Sequence, residues 1–333
     1  MRRQLLCFPQ LTILAAAVLV VSCQPSFHQK DERYVLVAAN ISLPYWQEAD
    51  AGLQDAGKEL GVKTEFRGPS RYEADAELAA FKAAVASNPS GILVSPARPE
   101  AFKSAIDDAS QKGIPVICID SDSPDSRRIA FIGTNNFRAG MESGQAIAQA
   151  MHEHGGLLVI TIPGQFNLDE RLRGVQEALK SQPYVQVSKV IDDQGDIQSA
   201  RDQVSTLIQG GYHPDGILCL EASGGPGAAQ ALDKLEMGGK VAVVAMDANP
   251  ETLDWIAKGV ITSTVAQKPY TMSYYGVKLL DDLHHNIVHE FKDWKTAPAS
   301  PLPSIIDTGT SVITNRNVED YREALSRESP AKH

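Results

Sequence analysis

The sequence predicts an α/β protein of two lobes, each a parallel sheet with helices on both faces. Three observations carry that expectation. The chain has 333 residues and 43% of them are hydrophobic, enough for a sizeable core and long enough to favour two domains over one. Short, continuous apolar runs alternate with amphipathic helical stretches, as parallel strands buried on both faces require. The alternation then restarts near Phe137, so two similar halves follow in tandem.

Each element follows from its own residues. Residues 34–39 form the first apolar run, then come a polar turn and a long helical pattern over 45–60. A strand is expected at 62–66, and Leu78, Phe81 and Val85 share one face of the next helix. Residues 91–94 form a strand, and Phe102, Ile106 and Ala109 mark a helix. Strands at 114–119 and 129–132 close the first half. The second half opens with a helix over 137–151 and a strand over 157–161. Leu172, Val175 and Leu179 make a helical face, 185–190 a strand, and Val204, Leu207 and Ile208 the next helix. Strands at 216–220, 241–245 and 261–266 alternate with helices that start near Gly225 and Glu251. Met272, Gly276, Leu279, Leu280 and Leu283 share a face of one more helix. Residues 296–303 carry three prolines and read as a linker; 304–306 and 311–313 read as a final extended pair. The charged tail from Glu319 is expected to fray.

The first residues read as a targeting signal. Arg2 and Arg3 precede an apolar stretch over 11–21, broken only by Thr12, and too short for the ~20 residues of a membrane span. It ends Val20-Val21-Ser22-Cys23, followed by Gln24-Pro25-Ser26. That is a lipobox: cleavage before Cys23 and lipidation of its thiol are expected. Residues 1–22 are then a signal peptide and 23–32 a polar tether, and the protein is exported from a bacterial cytoplasm and anchored to an envelope membrane. Cys118 and Cys219 sit in apolar strands of different halves, so both read as small buried hydrophobes rather than a disulfide.

Composition and motifs exclude several classes. Net charge is −10, and loss of Arg2 and Arg3 leaves 29 basic against 41 acidic residues, a net of −12. No Lys/Arg block offsets this, which disfavours nucleic acid. With 22% charged and 6% aromatic residues the chain resembles neither a disordered nor a multi-span membrane protein. Neither nucleotide-binding glycine fingerprint is present, nor a Gly-x-Ser-x-Gly elbow. Gly224-Gly225-Pro226-Gly227 lacks a lysine and reads as a strand-to-helix turn. His285 and His289, with Glu290 adjacent, have metal-ligand spacing, but a polar helix end with histidines on its C-terminal dipole is the preferred reading. His152 and His154 have the wrong spacing for one helix face. No metal, no other cofactor and no enzymatic nucleophile–base pair is expected.

One constellation does point to function. Polar and aromatic residues stand just after the expected strands, where open parallel sheets bind ligands. The candidate ligand-binding residues are Asn40, Tyr45, Trp46, Asp120, Asp122, Arg171, Glu221, Asp247 and Gln267. Two such edges facing each other make a cleft suited to a neutral polyhydroxyl molecule. Aromatic faces cover its C–H surfaces, while carboxylates and a guanidinium exchange hydrogen bonds with its hydroxyls. Blander roles stand beside these: Tyr45 and Trp46 as helix core, Asp120 and Asp122 as turn or cap residues, Arg171 as a surface partner of Asp169 or Glu170, and Asp247 as a helix cap. Trp255 and Trp294 read as packing residues.

The same residues carry a resemblance. The run from Tyr34 to Asn40 followed by Pro44-Tyr45-Trp46 resembles the opening of type 1 periplasmic sugar-binding proteins, the ribose-binding group. Gly91-Ile92-Leu93-Val94-Ser95-Pro96, Gly113-Ile114-Pro115-Val116-Ile117 and Asp120-Ser121-Asp122-Ser123 continue it. So do Ile132-Gly133-Thr134-Asn135-Asn136, Arg171-Leu172-Arg173-Gly174, Val244-Ala245-Met246-Asp247 and Val265-Ala266-Gln267-Lys268-Pro269-Tyr270, over about residues 33–315. The resemblance implies two Rossmann-like lobes joined by three hinge crossings, near Asn135, Gln267 and Asp307. The first lobe is then 33–135 with 268–306, the second 136–267 with 307–315, and 316–333 a polar tail. It implies pocket roles for Tyr45, Trp46, Asp120, Arg171, Asp247 and Gln267. It implies a monomeric substrate-binding lipoprotein that delivers a sugar to an inner-membrane ABC permease and its ATPase, or else presents ligand to a chemoreceptor or kinase. Ser121, Gly195 and Glu221 depart from the ribose-binding pattern, which counts against ribose itself. The Asp-Ser-Asp run and residues 226–231 resemble the autoinducer-2-binding branch.

Overall fold

The computed structural model describes residues 27–285 and 302–328. The signal segment with Cys23, part of the Pro-rich linker, His289, Glu290, Trp294 and the last five residues lie outside them. Chain order is β1 (Arg33–Val37), α1 (Pro44–Leu60), β2 (Lys63–Arg67), α2 (Ala74–Ala86), β3 (Gly91–Val94), α3 (Pro99–Gln111), β4 (Val116–Ile119) and β5 (Phe131–Gly133). Then come α4 (Asn136–Ala150), β6 (Gly155–Thr161), α5 (Phe166–Leu179), β7 (Val185–Asp192), α6 (Ile197–Gln209), β8 (Gly216–Cys219), α7 (Gly224–Lys234), β9 (Ala242–Met246), α8 (Pro250–Ala257) and β10 (Ser263–Ala266). α9 (Pro269–His284), β11 (Ile305–Asp307), β12 (Ser311–Thr314) and α10 (Val318–Glu328) complete it.

Two sheets result. The first runs β11-β5-β4-β3-β1-β2 and the second β12-β10-β9-β8-β6-β7. All pairings are parallel except β10 with β12. The two final extended runs therefore do not pair with each other: β11 joins β5 in the first sheet and β12 joins β10 in the second. The strands alternate at period two. Leu36, Leu93, Ile117 and Ile132 pack under Leu53 of α1 and Met272, Val277 and Leu280 of α9. Val37, Val94, Val116 and Cys118 face Phe81 of α2 and Phe102 and Ile106 of α3. The second sheet is sandwiched alike, with Ile160, Cys219 and Val243 toward α6 to α8 and Val159, Leu218 and Val244 toward α4 and α5. Both Cys118 and Cys219 are buried, and neither is in a disulfide.

Among the described residues the chain passes between the sheets in three places. It leaves β5 through Thr134 and Asn135 into α4, returns from β10 through Gln267 and Lys268 into α9, and crosses again between β11 and β12. The first and third crossings are cross-linked: Asn135 N donates to Asp307 Oδ1 at 3.1 Å, and Thr308 N to Gly133 O at 2.8 Å. The Asn135 side chain caps α4 by accepting from Arg138 N at 3.1 Å.

Two sequence expectations need correction. The charged tail does not fray from Glu319. Val318 is buried, Tyr321 and Leu325 pack on the second sheet's core, and Arg322 pairs with Asp254 at 2.5 Å. An apolar stripe at helical spacing lies within that charged run and anchors α10. Asp122 does not face the cleft. Its two carboxylate oxygens are taken by Nε and Nη2 of Arg128, the latter at 2.7 Å, and both residues are buried. Arg128 Nη1 also donates to Ser304 O at 3.0 Å, pinning the segment that leads into β11.

Removing one partner of a buried ion pair leaves an uncompensated charge and costs ~3–5 kcal/mol. Asp122→Ala is therefore expected to lower folding stability by about that amount in denaturant titrations, while ligand affinity below the transition keeps its wild-type value. Weakened binding at unchanged stability would return Asp122 to the site.

Candidate ligand-binding cleft

The carboxyl ends of both sheets meet at one cavity of about 50 Å³. Its lining brings together Asn40, Tyr45, Trp46, Asp120, Arg171, Glu221, Asp247 and Gln267, eight of the nine residues singled out from sequence. Asp122 is the exception.

Asp120 and Asp247 occupy equivalent places. Asp120 follows β4 and Asp247 follows β9, each the third strand of its sheet's order. Both have positive φ, 61° and 69°, a conformation that costs an L residue ~1–2 kcal/mol and that Asp tolerates better than most. The backbone accounts for it: Asp120 N donates to Ile132 O and Asp247 N to Val265 O, each on the neighbouring strand, at 3.3 and 2.9 Å. The chain thus turns sharply off the sheet at the point where the carboxylate must emerge into the cleft.

Asp120 accepts from Tyr45 Oη at 2.8 Å and Ser95 Oγ at 2.9 Å, and from Asn167 Nδ2 of α5 at 3.2 Å. The last bond bridges the two sheets. Burial pushes the Asp120 carboxyl above its ordinary value, opposed first by the Arg171 charge and then by these hydrogen bonds. Asp247 accepts from Gln267 Nε2 at 3.0 Å. Burial pushes its carboxyl up to about 7, again against the pull of Arg171. Tyr45 and Trp46 open α1 edge to face, ring centres 5.1 Å apart, and both are buried in the core as well as lining the cavity.

Arg171 connects the whole arrangement. It is 1% exposed and donates to Asn136 Oδ1 at 2.8 Å, Leu220 O at 2.7 Å and Gln267 Oε1 at 2.7 Å. It has no surface partnership with Asp169 or Glu170; Glu170 pairs with Arg173 and Asp169 accepts from Gly164 N. Close helix packing delivers it. A Cβ on Gly140 of α4 would stand 2.0 Å from Arg171 O, and one on Gly174 of α5 2.0 Å from Phe137 O. The two glycines let α4 and α5 touch backbone to backbone, which drives the guanidinium into the cleft.

Glu221 lies at the α7 N-terminus, where its oxygens accept from Ser223 N at 2.7 Å and Gly224 N at 2.5 Å. Asn40 turns back on itself, its Oδ1 accepting from Ser42 N at 3.0 Å. Sequence reasoning missed Asn167, Gln165 and Tyr72, which also line the cavity. Gln165 and Asn167 follow β6, so the rule that found Asp120 could have found them. Tyr72 lies in the loop after β2, anchored through Oη to Ala97 O at 3.2 Å, and no pattern marks it.

Residues 34–285 match the family model described as a periplasmic binding protein domain. The chain is 27% identical over 291 residues to the D-allose-binding periplasmic protein of Escherichia coli K12, covering 84% of this chain and 91% of that one. It superposes on a sugar-binding protein of a sugar ABC transporter from Bacillus halodurans with a TM-score of 0.74 at 32% identity, covering 87% and 99% of the two chains. A solute-binding protein from Burkholderia graminis in complex with D-arabinose gives a TM-score of 0.79 at 28% identity, covering 88% and 98%. Fold, ordered motifs and cleft agree with these matches, and the chain belongs to the periplasmic binding protein family.

Proposed function

We propose that this protein captures a monosaccharide or related polyol in the cleft and delivers it to an ABC importer. One observation carries the reading: three buried carboxylates, Asp120 after a strand of the first sheet and Glu221 and Asp247 after strands of the second, line a single cavity with one fully buried guanidinium. Carboxylates accept from vicinal hydroxyls and a guanidinium donates to hydroxyl or ring oxygens. Tyr45, Trp46 and Tyr72 supply apolar faces for the C–H side of a sugar. We assign Asn40, Asn167, Glu221 and Gln267 to the remaining hydroxyls.

The lobes we assign are those expected from sequence, 33–135 with 268–306 and 136–267 with 307–315. Asp120, Arg171, Asp247 and Gln267 are all buried at the cleft, so a sugar reaches them when the lobes part about the three crossings, and closure follows binding. The closed form of a monomer then docks on an inner-membrane permease driven by its ATPase. The location we propose is the bacterial envelope, with the protein held to a membrane through lipid on Cys23. A thermal-shift panel of D-allose, D-ribose, D-xylose and arabinose tests the ligand class, since a ligand at 100 times its dissociation constant adds about 2.7 kcal/mol.

The pocket makes a joint prediction about substitution and pH. Charge-assisted bonds contribute ~1.5–3 kcal/mol each, so Asp247→Ala is expected to weaken sugar binding by about 2–4 kcal/mol, tenfold for each 1.4 kcal/mol. With the Asp247 carboxyl at about 7, the acceptor form is lost as pH falls. Wild-type affinity should drop about tenfold between pH 8 and pH 6, and Asp247→Asn should flatten that profile. Stability of the sugar-free protein moves the other way. The native pKa lies above the unfolded value of 3.8, so this group's contribution falls as pH rises from about 4 to 7. Calorimetric titration with melting curves reads both. Unchanged affinity with a lowered melting point in Asp247→Ala would make Asp247 a structural residue and remove it from the site.

The anchor has its own test. Metabolic labelling with a fatty acid should mark the wild-type chain and leave Cys23→Ser unlabelled and unprocessed. Label on the Cys23→Ser protein would contradict the lipobox.

A further inference from the structure

At the edge of the first sheet away from the cleft, two short segments bring four ligand-type side chains together. His28 and Glu32 stand four residues apart just before β1. Asp281 and His285 stand four apart at the C-terminal end of α9. One ligand atom from each lies within 4.8 Å of all the others. His28 Nε2 is 3.1 Å from Asp281 Oδ2, and His285 Nε2 is 3.2 Å from Glu32 Oε2 and 3.6 Å from Asp281 Oδ1. A tetrahedral ion with bonds of ~2.0–2.1 Å sets its ligands ~3.3 Å apart; the His28–Asp281 and His285–Glu32 pairs already stand at that spacing, and the two pairs draw together around a shared ion.

The outer contacts fit as well. Asp281 Oδ1 accepts from Tyr34 Oη at 2.9 Å, and Glu32 Oε1 accepts from Gln29 N, which leaves Asp281 Oδ2 and Glu32 Oε2 turned to the imidazoles. Carboxylate ligands whose second oxygen is held by a protein donor are the usual support of a metal centre. Glu32 and Asp281 are each 3% exposed. The Phe27 ring stacks on His285 at 4.2 Å and meets His28 edge-on, covering the imidazoles on the outer side.

We infer that His28, Glu32, Asp281 and His285 form a closed, four-coordinate site for a divalent transition-metal ion, Zn²⁺ by its ligand set. Two imidazoles select against Ca²⁺ and Mg²⁺, which take oxygen ligands. Four protein ligands leave no open position, so the ion is structural. It staples the segment before β1 to α9, and binding requires both imidazoles to be neutral. His289 is not needed for the set, although its spacing from His285 first suggested a metal.

The test uses the full chain, stripped with chelator and titrated with Zn²⁺ alone, and does not depend on the sugar. One equivalent should bind, the melting point should rise with Zn²⁺ and fall again with chelator, and Co²⁺ in its place should show the intense visible absorption of a four-coordinate ion. His28→Ala and His285→Ala should each abolish stoichiometric uptake. Tyr34→Phe, which keeps the buried ring, should weaken Zn²⁺ 10–100-fold. Far-ultraviolet circular dichroism and cooperative melting of all three metal-free variants should match metal-free wild type, which shows that they fold. Failure of the wild-type chain to take up one equivalent, as an ion-pair cluster alone would behave, overturns the site. So does uptake that survives both histidine substitutions.

Discussion

A single buried cation orders the second sheet's side of the cleft. Among the described residues Arg171 is the bulkiest of the fully buried side chains, and an arginine cannot shed its charge. Its burial is tolerable only because three oxygens from three different elements accept from it and two carboxylates stand nearby. Asn136 comes from the start of α4, Leu220 from the end of β8, and Gln267 from the second crossing. The guanidinium thus fixes the relative positions of a hinge residue, a strand end and a helix start. The reciprocal glycine contact between α4 and α5 is the condition for all of it, since any side chain there would push the arginine out of reach.

The electrostatics of the site follow from that cation. Asp120 and Asp247 are both lifted by burial and both drawn down by Arg171. Three carboxylates, Asp120, Glu221 and Asp247, and one guanidinium leave the cleft with surplus acceptor capacity, which the polyhydroxyl ligand we propose would meet with its donors. The strained φ values at both aspartates point the same way. Strain of that kind persists where the surroundings over-determine a conformation, and here it places matching groups at matching strand ends. Preorganisation of this sort limits the ordering cost of binding. The Asn167–Asp120 bond joins α5 of the second half directly to the end of β4 in the first.

How much of this was legible in the sequence depends on the range of the interaction. The strand–helix rhythm is local, so the element order and both sheets could be read from periodicity. Asp120 and Asp247 were visible because each directly follows an apolar strand. Asp122 stands only two residues further on, yet the turn carries it to Arg128, a pairing that no period announces. Arg171 could be named from sequence, but its burial depends on two glycines whose partners lie on another helix. Tyr72 was invisible for the same reason. The α10 stripe was masked by its charged neighbours. The His28, Glu32, Asp281 and His285 cluster joins segments some 250 residues apart in sequence, and only the fold brings them together.

We propose that ligand bound between Asp120 and Asp247 draws the two lobes together. Small-angle X-ray scattering on the sugar-free protein, and on the same protein saturated with the sugar that gives the largest melting shift, tests it most directly. The account predicts a smaller radius of gyration with sugar, as the lobes close about the three crossings. An identical radius of gyration in both samples would contradict it, and would mean a rigid module whose narrow cleft does not open.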